Sequence, residues 1–269
     1  MVSSDCAELV AALEERTQRA PQDFPVSRTY RFEVHRAGAT GYRIEEAGRP
    51  TEHRDDPGNA AEALFWRMHE LSLEALPEYT KIHAGCADWR GRRFVIAGRA
   101  RAGKTTLMTR MLFEGFQVHS DDIVLLREGE ALPYPRRFWT RAESVALLPQ
   151  IAPLLMRKHP VRDHFSLDPR ELGFQWQITS APVSAVLFLE PRHGGETRIT
   201  PCPKYRMANL IMSQSLLPAA GARDWIRDVL GMLDISSCLL LECGSLDSAV
   251  KALKNTLELQ SRLGDKADE

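Results

Sequence analysis

Apolar positions recur along the chain with two periods. Leu9, Val10, Ala12 and Leu13 share one side of a helix that the spacing predicts over Asp5–Arg19, ended by Pro21. Thr29–Val34 alternates with period two, as does Tyr42–Glu45, and the pair is expected to meet across the Gly38–Gly41 turn. Arg49–Gly58 is polar, carries Pro50 and Pro57, and reads as a loop, with Gly58 or Asn59 as the cap of the next helix. On that helix Ala61, Leu64, Phe65, Met68, Leu71 and Ala75 form a core-facing stripe.

From Tyr79 onward strands dominate. Thr80–Trp89 and Arg93–Ala97 read as strands joined by a tight turn at Arg90–Gly91. A loop over Gly98–Lys104 leads into a helix at Thr105–Glu114, stopped by Gly115. Phe116–His119 and Ile123–Leu126 are strand-like runs on either side of Asp121–Asp122, whereas Pro133–Gly173 is irregular and rich in Arg and Pro. Val183–Leu189 has the composition of a buried strand, with Glu196–Thr200 as its expected partner. Helices are expected over Pro203–Leu216 and Ala220–Leu233, then a strand over Cys238–Glu242. A final amphipathic helix follows, capped by Ser245 and carrying Leu246, Ala249, Val250, Leu253 and Leu257. Strands that alternate with helices imply an α/β layered core.

Composition changes this picture little. The chain has 269 residues, 43% hydrophobic and 26% charged, which is ordinary for a globular protein and excludes a wholly disordered one. With 35 basic and 36 acidic residues the net charge is -1, so a nucleic-acid partner is not expected. The five cysteines form no C-x-x-C pair, and reduced thiols in a cytoplasmic protein are the expectation. Residues 1–20 lack the basic start and apolar run of a signal peptide, and no run suits a membrane span.

The sharpest signal is Gly98-Arg99-Ala100-Arg101-Ala102-Gly103-Lys104-Thr105, which satisfies G-x-x-x-x-G-K-[ST] at every fixed position. A strand candidate precedes it and a helix candidate follows. Backbone amides and the helix N-terminus would then face phosphate oxygens. Lys104 would reach the outer phosphates and Thr105 would offer its hydroxyl to Mg²⁺. The guanine-reading N-K-x-D sequence is absent. Asp121 and Asp122 follow a short strand within reach of the same crevice. Two carboxylates there repel unless a metal or a proton intervenes, and one of them can serve as base.

These residues resemble the HPr kinase-like family, which shares its nucleotide-binding core with phosphoenolpyruvate carboxykinases. The resemblance rests on Ile82-His83-Ala84, Phe94–Thr106, Gly115 and Ser120-Asp121-Asp122, and is specific over Ile82–Leu126. It implies an α/β fold: a carboxykinase-like phosphate-loop core with a mixed sheet over 79–269, preceded by a small N-terminal α+β subdomain over 1–78. The match is to short stand-alone members, some of which phosphorylate a peptide hydroxyl.

What the resemblance implies is a kinase that moves a phosphoryl group from ATP, with Mg²⁺, to a Ser/Thr-type hydroxyl on a protein, a peptide or a small molecule. Gly98, Arg99, Ala100, Arg101, Ala102, Gly103, Lys104, Thr105 and Thr106 would hold the nucleotide. Asp121 and Asp122 would divide proton abstraction and metal contact, with Thr105 and Asp122 as the metal set, and His83 would lie near the γ-phosphate. Relatives often assemble as homo-oligomers. The family loop usually carries Ser and Gly where this chain has Ala100 and Arg101, and a Gly there would matter if the position needs φ > 0. Arg136, Arg137 and Arg141, interleaved with aromatics, are candidates for gripping the acceptor, Arg157, Lys158 and Arg162 are weaker ones, and Glu190 at the end of its strand is a candidate metal or substrate contact. The competing reading is a nucleotide-binding regulatory or assembly protein that transfers nothing.

Overall fold

The computed structural model describes residues 6–14, 16–17, 29–38, 41–158, 163–216 and 222–264. The chain divides into two compact units. One comprises residues up to Leu76 with Pro160–Ser166; the other comprises Pro77–His159 and Leu167–Glu269.

The first unit holds α1 (Ala7–Glu14), β1 (Phe32–Ala37), β2 (Gly41–Glu46), β3 (Glu52–Arg54) and α2 (Pro57–Glu74). β1 and β2 pair antiparallel, Phe32 opposite Glu46 and Ala37 opposite Gly41, as the alternation predicts. β3 adds to β2 inside what reads as a polar loop, because a three-residue edge strand with no apolar residue leaves no period to detect. The cap of α2 is Asp56, not Gly58 or Asn59: its carboxylate accepts from the Asn59 amide at 2.8 Å, and Pro57 occupies the first helical turn. Leu9, Leu13, Val34, Tyr42, Ile44, Ala60, Ala61 and Leu64 form the core of this unit. The helix expected from Asp5 to Arg19 is described over α1, and Pro21 lies outside the described residues.

The second unit carries β4 (Thr80–Trp89), β5 (Arg92–Gly98), α3 (Lys104–Leu112), β6 (Gln117–Ser120), β7 (Ile123–Arg127) and β8 (Glu130–Pro133). Then come β9 (Phe138–Arg141), a 3-10 segment at Ala142–Leu147 and a short α4 (Ala152–Leu155), while β10 (His164–Leu167) belongs to the first unit up to Ser166. The second unit ends with β11 (Ala181–Pro191), β12 (Arg198–Pro201), α5 (Lys204–Met212), β13 (Ser215–Leu216), α6 (Ala222–Ile235), β14 (Ser237–Cys243) and α7 (Leu246–Gly264).

Its sheet is mixed, in the order β12-β14-β11-β5-β4-β7-β8, with β6 and β13 also pairing to β4. β5, β11 and β14 run parallel, while β4, β7, β8 and β12 run antiparallel to their neighbours. β8 returns to pair with the first residues of β11, so part of the sheet closes on itself. β12 pairs with β14, not with β11 as expected; both sides of β11 are already taken by parallel neighbours. One face is covered by α5 and α6, whose Met207, Ile211, Val229, Met232 and Leu233 pack on Ile82, Val95, Val186 and Phe188. α3 lies against β4 at Gly85, where a Cβ would come within 2.7 Å of the Met108 side chain.

All five cysteines are free, four buried and Cys243 half-buried. No helix among the described residues is long and apolar enough to cross a membrane.

Candidate phosphate-binding site

β5 ends at Gly98, and the chain turns through Arg99–Gly103 into α3. Two glycines make this turn possible. At Gly98 a Cβ would stand 2.9 Å from the Leu189 carbonyl oxygen on β11, and Gly103 has φ 93. Arg101 has φ 64, so the position where the resembled family carries glycine is left-handed here as well. The turn therefore strains a non-glycine residue. Lys104 is 6% exposed, and its Nζ donates to the carbonyls of Gly98 at 2.7 Å and Arg99 at 3.3 Å. Burial pulls its pKa down, while Asp122 and Asp121 pull it back up.

The double aspartate sits where β6 passes into β7. Both strands pair with β4, Ser120 opposite Cys86 and Ile123 opposite His83, so the turn between them falls beside His83. His83 Nδ1 lies 2.8 Å from Asp122 Oδ1, and Arg136 pairs with the other oxygen, Oδ2. Burial opposes ionisation of Asp122, but Arg136 and then His83 hold its carboxyl well below the usual carboxylate range.

Asp121 is different. It is 1% exposed, and neither carboxylate oxygen has a hydrogen-bond partner of ordinary geometry, although the Thr105 hydroxyl is close enough to lower its pKa slightly. Burial first, and the charge of Asp122 second, push its pKa up to about 6. An orphaned carboxylate beside a loop threonine is a donor set that suits a divalent cation.

A cavity of 480 Å³ opens beside the loop, with Asp122 but not Asp121 in its wall. His83, Arg101, Lys104, Thr105 and Asp122 line it, so most of the chemistry-bearing candidates face one space. Arg141 and Trp139 form another part of its wall. The three clustered arginines therefore separate. Arg136 clamps Asp122, Arg137 pairs with Glu171 at 2.5 Å, and Arg141 lines the cavity. Lys158 also pairs with Glu171, Arg162 lies outside the described residues, and Glu190 does not line the cavity.

Four lining residues have no counterpart in the sequence reading: Glu143, Ser144, Leu147 and His193. Ser144 shares a hydrogen bond of 3.0 Å with Thr106, which joins the 3-10 segment to the phosphate-loop helix. These residues lie on irregular segments, where no periodicity marks them; only the position of His193 just past the end of β11 hints at a crevice role.

A solved structure, that of the Hpr(Ser) kinase/phosphatase from Coxiella burnetii, matches over 69% of this chain and 98% of its own, with 12% identity and a TM-score of 0.35. That is a distant resemblance of fold, too loose to carry an argument about this chain. No protein-family model matches, and neither does any curated protein.

Proposed function

We propose that this chain is a Mg²⁺-dependent kinase that moves the γ-phosphoryl group of ATP to a hydroxyl on a protein, peptide or small-molecule acceptor. The observation that carries the reading is the contrast between neighbouring carboxylates beside one phosphate loop. Asp122 is ionised and fixed at the cavity wall by His83 and Arg136. Asp121, its neighbour in the chain, is buried, and neither of its oxygens has a hydrogen-bond partner of ordinary geometry. A module that only binds nucleotide has no use for a carboxylate–imidazole pair held in that place.

In this reading the loop amides and Lys104 hold the triphosphate. Thr105 and Asp121 would hold Mg²⁺, because the two oxygens of Asp122 are already engaged. When bound, the ion would neutralise charge on the phosphate oxygens. The acceptor hydroxyl meets the Asp122–His83 pair. Its O–H bond breaks and the proton passes to that pair. Its oxygen bonds to the γ-phosphorus as the bond to the bridging oxygen breaks, and ADP leaves. Arg136 keeps Asp122 charged and oriented. Trp139 and Arg141 form the side from which an acceptor would enter.

Phosphate release from ATP and MgCl₂, measured with and without candidate acceptors, tests this. The wild type should show slow hydrolysis that an acceptor accelerates. Asp122→Asn should lower turnover by about 10²–10⁴-fold with ADP binding unchanged. Full turnover in that variant would sink the mechanism. A wild type that binds nucleotide and turns none over would support the regulatory reading instead.

A further inference from the structure

A second cavity, of 470 Å³, adjoins the first on its far side from the aspartate pair. The two share a wall made by Ala102, Gly103, Thr106, Leu147 and His193. His83 and Asp122 line only the first. The second is less charged than the first: Leu107, Ala146, Leu147, Leu189, Pro191 and Leu246 line it, Asp247 is its one carboxylate, and no Lys or Arg faces it.

Its position follows from the sheet. The parallel strands β5, β11 and β14 end at Gly98, Pro191 and Cys243, and ligands of open α/β sheets lie beyond such carboxyl ends. Its outer rim is preformed. The backbone at Gly244 approaches that at Gly195 so closely that a Cβ on Gly244 would fall 2.0 Å from the Gly195 carbonyl oxygen. The Gly244 amide donates to Thr197 Oγ1 at 2.9 Å, and the Arg192 amide to the Cys243 carbonyl at 2.8 Å.

We propose that this second cavity holds the base and sugar of the nucleotide whose phosphates lie on the loop. The inference rests on the loop's being a phosphate site. The division of the space matches the division of the ligand: an anionic chain over the amides and Lys104, and a flat, largely apolar nucleoside against leucines and proline. The acceptor is the other occupant to weigh. It must reach Asp122 and His83, which the second cavity does not touch, so it belongs on the Trp139–Arg141 side.

Calorimetric titration with ADP and with pyrophosphate, both with MgCl₂, separates the two claims. The wild type should bind pyrophosphate, and ADP at least about tenfold more tightly. Ala146 is exposed on the 3-10 segment, so Ala146→Trp fills the cavity without entering the core. It should bring ADP down to the affinity of pyrophosphate and leave pyrophosphate unchanged, which also shows that the variant is folded. Cys243 supplies an independent readout, being the one described cysteine that is not buried. ADP should slow its alkylation by N-ethylmaleimide, and pyrophosphate should not. Pyrophosphate binding without an advantage for ADP, or an Ala146→Trp variant that still favours ADP, would overturn the assignment of the second cavity alone. Failure to bind either ligand would overturn the phosphate loop's role and this inference with it.

Discussion

Two buried charge clusters share strand β4, and they are finished in opposite ways. Toward its end, Asp88 meets Arg93 of β5 through Nε at 2.8 Å and Nη2 at 3.1 Å, and His119 of β6 at 3.0 Å. Arg93 also donates to the carbonyls of Ala131, at 3.0 Å, and Thr179, while His119 Nδ1 lies 2.6 Å from the Gln177 carbonyl. Trp176 donates to the His119 carbonyl at 2.7 Å. The knot thus fastens the irregular 176–179 segment to the sheet. Despite the cost of burial, the bonds from His119 and Arg93 draw the Asp88 pKa down to about 2.

Near the start of the same strand, His83 touches a cluster in which Asp122 has two partners and Asp121 has none of ordinary geometry. Buried polar groups are nearly always satisfied, so an unsatisfied carboxylate points to a missing ligand, whereas a fully bonded knot points to structure. The titrations diverge with the geometry, one carboxyl going down to about 2 and the other up to about 6.

The harshest way to break the comparison is to remove a cation from the knot. Arg93→Met should cost about 3–5 kcal/mol, because it leaves Asp88 beside His119 in a site with little water and frees two backbone carbonyls. Urea denaturation measures it. A cost near zero would mean that the knot is solvated and that the contrast with the aspartate site is not one of satisfied against unsatisfied charge.

Asp121→Asn probes the other cluster and has the opposite sign. A carboxyl whose pKa is higher in the fold than in the unfolded chain favours folding most below its unfolded value. That contribution is lost as pH rises through the folded value. The wild type, free of metal, should therefore lose stability between about pH 4 and 6, by an amount on the order of 3 kcal/mol. The Asn variant should not. Its Tm should match the wild type at pH 3.5 and exceed it at pH 8, by about 4–8 °C for each kcal/mol in a small domain and less in a chain this long. Mg²⁺ should restore the wild type at pH 8 and leave the variant unmoved. Parallel Tm curves across that range would show that Asp121 is solvated or paired.

How much of this was legible beforehand differs between fold and site. Elements with a clean period were readable: β1 with β2, β4 with β5, and α3 after the loop. β3 was not, since three polar residues carry no alternation, and the partner of β12 was not, since pairing between distant strands depends on which edges remain open. In the site, Gly98–Thr105 stands out because the loop pattern survives in one dimension, and Asp121 and Asp122 because they closely follow it, whereas His83 enters only through the family resemblance. The roles of the arginines could not. Arg136 and Arg137 are neighbours in sequence, yet one turns to Asp122 and the other to Glu171, and only the path of the chain after β8 decides which. The same holds for the difference between Asp121 and Asp122, which comes from burial and partners, not from order.

The smallest effect concerns Arg101, where strain and charge can be separated. A left-handed backbone costs a non-glycine residue about 1–2 kcal/mol, and Arg101→Gly removes that cost. Glycine also loosens the unfolded chain, by about 0.4–1 kcal/mol, so the net gain in stability should be roughly 0–1 kcal/mol. If stability were the whole account, arginine would have no reason to stand there. Its side chain lines the phosphate cavity beside Lys104, and a second cation there would act on the outer phosphates. Arg101→Gly should therefore weaken ATP binding by several-fold, about 1 kcal/mol, while thermal denaturation shows an unchanged or slightly raised Tm. Arg101→Lys should keep the strain and regain part of the affinity. A glycine variant that binds ATP as tightly as the wild type would reduce Arg101 to a strained loop residue and leave Lys104 as the loop's own positive charge toward phosphate.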